Sequence, residues 1–121
     1  MTINQNILDM ARAEAKQSDL KRAKISALAL DKRMRNIICK AHNAIFMGSK
    51  KKFSIHAEEY LLSKLRKPID DSMIIFIYRA TAGGAGCSRP CNKCMKLLII
   101  SGIKNICYMD EDNNYTMERI A

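Results

Sequence analysis

The chain has 121 residues, 48% of them hydrophobic and 27% charged, which fits one folded domain and excludes a disordered chain. Two prolines and five glycines exclude a collagen-like repeat, and no apolar run approaches the roughly 18 residues that cross a bilayer. Basic residues exceed acidic ones by nine, and residues 21–52 alone carry that excess. A basic segment of this kind attracts phosphate, on a nucleotide or on a strand; the alternative is a solvated face. The opening MTINQNILDMARAEAK lacks an apolar core followed by small residues, so no secretory signal is read and a cytoplasmic location is expected. Five cysteines, an odd number, then point to metal or thiol chemistry rather than a disulfide framework.

In chain order, Ile7, Met10, Ala11 and Ala15 lie near helical spacing and predict a first helix over 6–18, capped by Asn4 or Asn6. Residues 23–30 and 36–46 are apolar and partly alternating, and the charged turn 31–35 separates them. They predict a β-hairpin. Residues 48–53 read as a basic loop, and Ser54 as the cap of a second helix over 55–67, with Ala57, Tyr60, Leu61 and Leu65 as its apolar stripe. Residues 73–79 (MIIFIYR) read as a buried central strand. Residues 80–86 read as a flexible connection. Pro90 suits the first turn of a third helix running to Ser101, with Gly102 as its C-terminal cap. Strands over 103–109 and 115–120 follow, joined by an acidic turn. The order α-β-β-α-β-α-β-β predicts a three-layer α/β/α sandwich around a mixed sheet of about five strands, as a single domain over 1–121.

Two short clusters carry the chemistry. His56-Ala57-Glu58 opens the second predicted helix, and Pro90-Cys91-Asn92-Lys93-Cys94 opens the third. Cysteines three positions apart on one helical turn reach a common ion, and His56 supplies a third ligand. Three protein ligands leave a fourth position open, as in catalytic zinc sites. Helix N-termini favour thiolates, and a bound metal lowers the pKa of water to about 7. Glu58, two residues from His56, is placed to take a proton from that water and return it to a leaving amine. A structural zinc completed by Cys87 is the alternative. Cys39 and Cys107 read as core residues, Cys87 as a free thiol near the mouth, His42 as a strand or rim residue and Glu59 as solvent-facing.

HAE followed by PCNKC resembles the zinc-dependent cytidine and deoxycytidylate deaminase superfamily, whose signature is H-x-E…P-C-x-x-C. The likeness extends over residues 5–109, in the order helix, hairpin, HAE helix, strand, PCxxC helix and strand. It implies a cytidine deaminase-like fold and a Zn2+ cofactor held by His56, Cys91 and Cys94, with Glu58 as the catalytic proton shuttle. It further implies that Asn43 hydrogen-bonds the sugar or base, that the Ala57 backbone meets the pyrimidine edge, and that backbone near Arg89 and Pro90 accepts from the departing amine. Arg89 stands where tRNA deaminases usually have glutamate. The implied partners are a pyrimidine nucleoside or nucleotide substrate and further copies of the chain in a homo-oligomer. Deamination of a base within nucleic acid is the alternative, and a non-catalytic zinc-containing nucleic-acid-binding module a further one. Lys50, Lys51 and Lys52 are expected at the mouth of the cavity, where they would attract a phosphate.

Overall fold

A computed structural model of the chain describes residues 2–121. Its elements are α1 (Gln5–Lys16), β1 (Lys24–Leu30), β2 (Ile37–His42), β3 (Ala44–Met47), β4 (Lys52–Ile55), α2 (Ala57–Lys64), β5 (Ile74–Thr81), β6 (Gly84–Gly86), α3 (Asn92–Ile100), β7 (Asn105–Met109) and β8 (Tyr115–Arg119). The main sheet has six strands in the order β2-β1-β5-β7-β8, with β6 paired to β5. Only the β5–β7 pair is parallel, because α3 crosses over between them. The mixed sheet and its helices match the expected α/β architecture, with one more strand than expected.

Side-chain alternation assigns the helices to layers. Leu28, Leu30, Ile74 and Phe76 face one way and pack with Ile7, Ala11 and Ala15 of α1. Ala27, Ala29, Ala41, Ile75 and Ile77 face the other way, against Ala57 and Leu61 of α2 and Leu98 of α3. The three alanines matter. Small side chains on this face let α2 lie close to the sheet, so its first turn reaches the end of β5.

The termini of the elements follow local chemistry. Asn4 caps α1, its side chain accepting from the Asn6 N–H at 2.8 Å. Gly102, at φ +101°, ends α3; its N–H bonds to Ile99 O and that of Ile103 to Leu98 O, the 5→2 and 6→1 pair of a Schellman cap. Asp31 closes the β1–β2 turn without glycine, its carboxylate accepting from the N–H groups of Arg35 and Asn36 and from the Asn36 amide. Asp110 does the same for β7–β8, accepting from Asp112, Asn114 and Thr116.

Four expectations need correction. The second hairpin strand does not run unbroken from 36 to 46. It stops at His42, and Ala44–Met47 pairs instead with Lys52–Ile55 in a separate two-stranded sheet. Asn43 causes the break, because its amide bonds to the backbone of Ala23 and Ile25. Residues 52–53 are thus strand, not loop, and β4 also takes in Ser54 and Ile55, read as helix cap and helix start; His56 is the N-cap of α2. That helix ends at Lys64 rather than 67, as Leu65 turns extended ahead of Pro68. The connection 80–86 folds back as a hairpin, Thr81 opposite Gly84, with Gly84 at φ +119°.

His42 and Glu14 join the α1 layer to the sheet. Glu14 is only 4% exposed, and its carboxylate lies 2.6 Å from His42 Nδ1 and 3.9 Å from Lys40 Nζ. His42→Ala leaves this carboxylate without its short hydrogen bond. The expected loss is about 2 kcal/mol of unfolding free energy, read as a lower urea midpoint at unchanged m.

Candidate metal centre and cavity

Helices α2 and α3 each precede a strand of the parallel pair, so both begin beyond the C-terminal end of β5. That arrangement brings residues 35 and 38 positions apart together. His56 Nδ1 lies 3.7 Å from Cys91 Sγ and 3.2 Å from Cys94 Sγ. All three donor atoms fall within 4.8 Å of one another. Tetrahedral zinc, with bonds of about 2.0–2.1 Å to nitrogen and about 2.3 Å to sulfur, spaces such donors about 3.5 Å apart. The donor set therefore fits a zinc ion in type and in spacing. His56 is the N-cap of α2 and Cys91 the N-cap of α3, so two of the three donors sit at the positive ends of helix dipoles.

Charge balance points the same way. Burial pushes the Cys94 thiol far above its ordinary value, and the neighbouring Glu58 carboxylate pushes it further. Burial likewise raises the pKa of Glu58, which is 5% exposed. A Cys94 thiolate beside the Glu58 carboxylate in this buried place is disfavoured unless a cation is bound with them.

A cavity of about 320 Å³ opens beside the cluster. His56, Ala57, Glu58 and Cys91 form one wall, Arg89, Pro90, Cys87 and Ser88 another, and Asn43, Ile25, Ile77 and Arg79 the sheet side. Of the residues expected to bind metal or substrate or to move the proton, His56, Ala57, Glu58, Asn43, Arg89, Pro90 and Cys91 line this cavity, and Cys94 is fully buried. Asn43 is 5% exposed and holds Ile25 N–H at 3.0 Å as well as Ala23 O, yet one amide hydrogen and one carbonyl lone pair remain for a ligand. Arg89 donates from Nε and Nη2 to Glu118 at 3.2 and 3.1 Å, so its charge is already paired. Lys50, Lys51 and Lys52 do not line the cavity; the β3–β4 hairpin carries them at its far end. Glu59 does not simply face solvent. It accepts from the His56 N–H at 3.3 Å and pairs with Lys93 at 3.4 Å, tying the two helix starts together.

Ser88 was not singled out from the sequence. Its hydroxyl donates to Ile77 O at 2.8 Å and accepts from the Met109 N–H at 3.1 Å, while its own N–H bonds to Met109 O. It bridges β5 and β7 where their own pairing has stopped, and so fixes the loop that delivers Arg89, Pro90 and Cys91. A serine just before an RPC sequence carries no signal that separates it from a surface serine. Cys87 is exposed at the mouth, Cys107 is buried with its pKa pushed up to about 11 by burial, and Cys39 is half-buried.

A family model described as cytidine and deoxycytidylate deaminase zinc-binding region matches residues 1–110. The chain belongs to this family. Zinc is accordingly its cofactor, and the enzyme class is that of a zinc-dependent hydrolase. A search of curated proteins gives no match. Among solved structures, the apo dCMP deaminase of cyanophage S-TIM5 is similar at 22% identity and TM-score 0.62, covering 84% of this chain and 78% of its own. The same phage enzyme in complex with dCMP and dUMP gives 20% identity and TM-score 0.61, with 84% and 76% covered. A cytidine deaminase from Burkholderia pseudomallei gives 15% identity and TM-score 0.65, with 99% and 94% covered. At these identities the likeness establishes the fold. No helix among the described residues is long and apolar enough to cross a membrane.

Two measurements check the site. Elemental analysis of the purified family member is expected to find one zinc per chain, and none in Cys94→Ser, since a hydroxyl is a far weaker ligand there. The second concerns Glu118, whose pKa is lowered by hydrogen bonds from Tyr108 and Arg89. A depressed carboxylate stabilises the fold above its unfolded pKa of about 4.3, and that contribution disappears as pH falls through the lower folded value. The Tm of the wild type is therefore expected to exceed that of Glu118→Gln near neutral pH, with the gap closing in acid.

Proposed function

We propose that this family member hydrolytically deaminates a cytosine-type pyrimidine nucleoside or nucleotide, replacing the ring amino group by a carbonyl and releasing ammonia. The convergence of His56, Cys91 and Cys94, with a buried Glu58 beside His56 and Cys91 in the cavity wall, carries this reading. In it, His56 Nδ1 and the two sulfurs would hold the zinc. When bound, zinc supplies a water-derived nucleophile at neutral pH.

The chain's own residues do the remaining work. Glu58 takes the attacking water's two protons in turn, passing one to ring N3 as the oxygen adds and one to the amine as the C–N bond breaks, so the oxygen is left as the carbonyl and the carboxylate is restored when ammonia leaves. Its burial favours the protonated state between each uptake and delivery. The Ala57 N–H, at the first turn of α2, is free of an intrahelical partner and meets the pyrimidine edge. Backbone at Arg89 and Pro90, fixed through Ser88, accepts from the departing amine. Asn43 offers its remaining donor and acceptor to the sugar or base. The apolar side chains of Ile25, Ile55 and Ile77 exclude water around the ring.

One observation favours a second reading, deamination of a base within nucleic acid. Phe46 and Phe53 stack at 5.9 Å between ring centroids on the β3–β4 hairpin, next to Lys50, Lys51 and Lys52. An exposed Phe53 ring backed by half-buried Phe46 beside lysines suits a single strand. Size favours the first reading, because about 320 Å³ lies at the small end of ligand cavities and suits one nucleotide.

A screen of pyrimidine nucleosides, nucleotides and short oligonucleotides, read as ammonia release, tests the proposal. Glu58→Gln is expected to lower kcat about 10²–10⁴-fold while keeping zinc and the unfolding midpoint. Unchanged turnover in that variant, or ammonia from oligonucleotides alone, rejects the free-nucleotide reading.

A further inference from the structure

Arg79 is the charged residue of the cavity that the chemistry above does not use. It is the sixth residue of β5. Alternation puts its side chain on the face of Ile75 and Ile77, the side of α2, α3 and the metal cluster. Ile25 lies opposite it on β1 and Gly86 on β6. A Cβ at Gly86 would lie 3.6 Å from Arg79 Cδ and 3.8 Å from Cγ, so the arginine stem runs over this glycine. The guanidinium thus reaches the cavity, which Arg79 lines.

Its Nε is buried and has no hydrogen-bond partner, the one such side-chain nitrogen or oxygen among the described residues. No ion pair involves Arg79 either, whereas Arg89, the other arginine of the cavity, is paired with Glu118. A buried guanidinium nitrogen without a partner carries a desolvation penalty that an anion removes best. The adjoining loop adds to the pull. Leu20 and Ala23 line the cavity, and Lys21 and Arg22 between them are exposed.

We propose that Arg79 is the specificity-determining residue that binds the substrate's 5′-phosphate, so that the substrate is a pyrimidine nucleoside monophosphate and not the free nucleoside. This rests on the deaminase reading and narrows it. Planar Nε and Nη donors match two phosphate oxygens at once. A neutral nucleoside leaves the guanidinium unpaired, which is how a polar site rejects an analogue that lacks the matching group.

The test compares deoxycytidine with its 5′-monophosphate, using wild type, Arg79→Ala and Arg79→Lys. Arg79→Ala is expected to lower kcat/KM for the monophosphate about 100-fold, mostly through KM, and to leave deoxycytidine within twofold. Arg79→Lys is expected to regain part of the loss, because it keeps the charge but not the fork. Zinc content and urea midpoint, measured on each variant, separate a local effect from misfolding. Calorimetry with deoxyuridine and its 5′-monophosphate supplies a readout that needs no turnover, and the same selective weakening is expected there. An equal loss on nucleoside and nucleotide, or no loss on the nucleotide, overturns the assignment while ammonia release keeps the deaminase reading alive. Selective loss of nucleotide binding without ammonia from any substrate upholds the Arg79 seat and overturns the deaminase reading.

Discussion

The site depends on two helices starting side by side. His56 and Cys91 are both N-cap residues, and Cys94 lies one turn into α3. No local sequence interaction can join them across 35 positions. The sheet does so, by placing the parallel strands β5 and β7 next to each other and sending a helix into each. The bond between the sheet and the metal cluster is therefore the packing of α2 and α3 on the face of Ala27, Ala29 and Ala41. Larger side chains there would lift α2 and carry His56 away from the two sulfurs. Ser88 and the Glu59–Lys93 pair complete the constraint from the loop side and between the helix starts.

The same place concentrates acids that resist ionising. Cys94 and Glu58 are both buried, and burial raises the pKa of each; the Glu58 carboxylate raises that of Cys94 further, whereas the hydrogen bond from Cys94 lowers that of Glu58. Cys107 shows what burial does to a thiol elsewhere in this core, and it stays an inert packing residue. The difference lies in the neighbours. Around Cys94 stand an imidazole and a second sulfur at ligand spacing; a cation there relieves the repulsion between thiolate and carboxylate, so metal binding and folding become linked. A metal held there would tie the two helix starts together as well as serve the chemistry.

Much of this was legible in the sequence. HAE and PCNKC are contiguous motifs whose residues act within one helical turn, and short-range chemistry survives any error in element boundaries. The layer order was legible because the apolar spacing changes from helical to alternating at the right places. What failed was local and had a local cause. Asn43 interrupts an apolar run that reads as one strand, since its bonds to Ala23 and Ile25 join residues about 20 positions away. Ser88 acts through two strand ends that a linear reading cannot bring together. Arg79 sits in an apolar strand pattern, where a terminal arginine looks like a solvent boundary. Only the burial of its Nε reveals otherwise.

The basic excess of residues 21–52 shows why charge counted along a chain is a weak guide to charge around a site. The segment disperses in space. Lys32, Arg33 and Arg35 lie at the end of β1 opposite the cavity, about 20 Å along the strand from Ile25. Lys50, Lys51 and Lys52 cap the β3–β4 hairpin. At physiological salt, exposed charges beyond about 8 Å are largely screened, so these groups contribute little inside the cavity. Lys21 and Arg22, on the loop at its edge, act over a shorter distance. Arg79 differs in kind from all of them, because it is partly desolvated and unpaired within the cavity wall. One such cation discriminates between a phosphate and a hydroxyl more sharply than a run of solvated lysines, whose counterions are already supplied by water and salt.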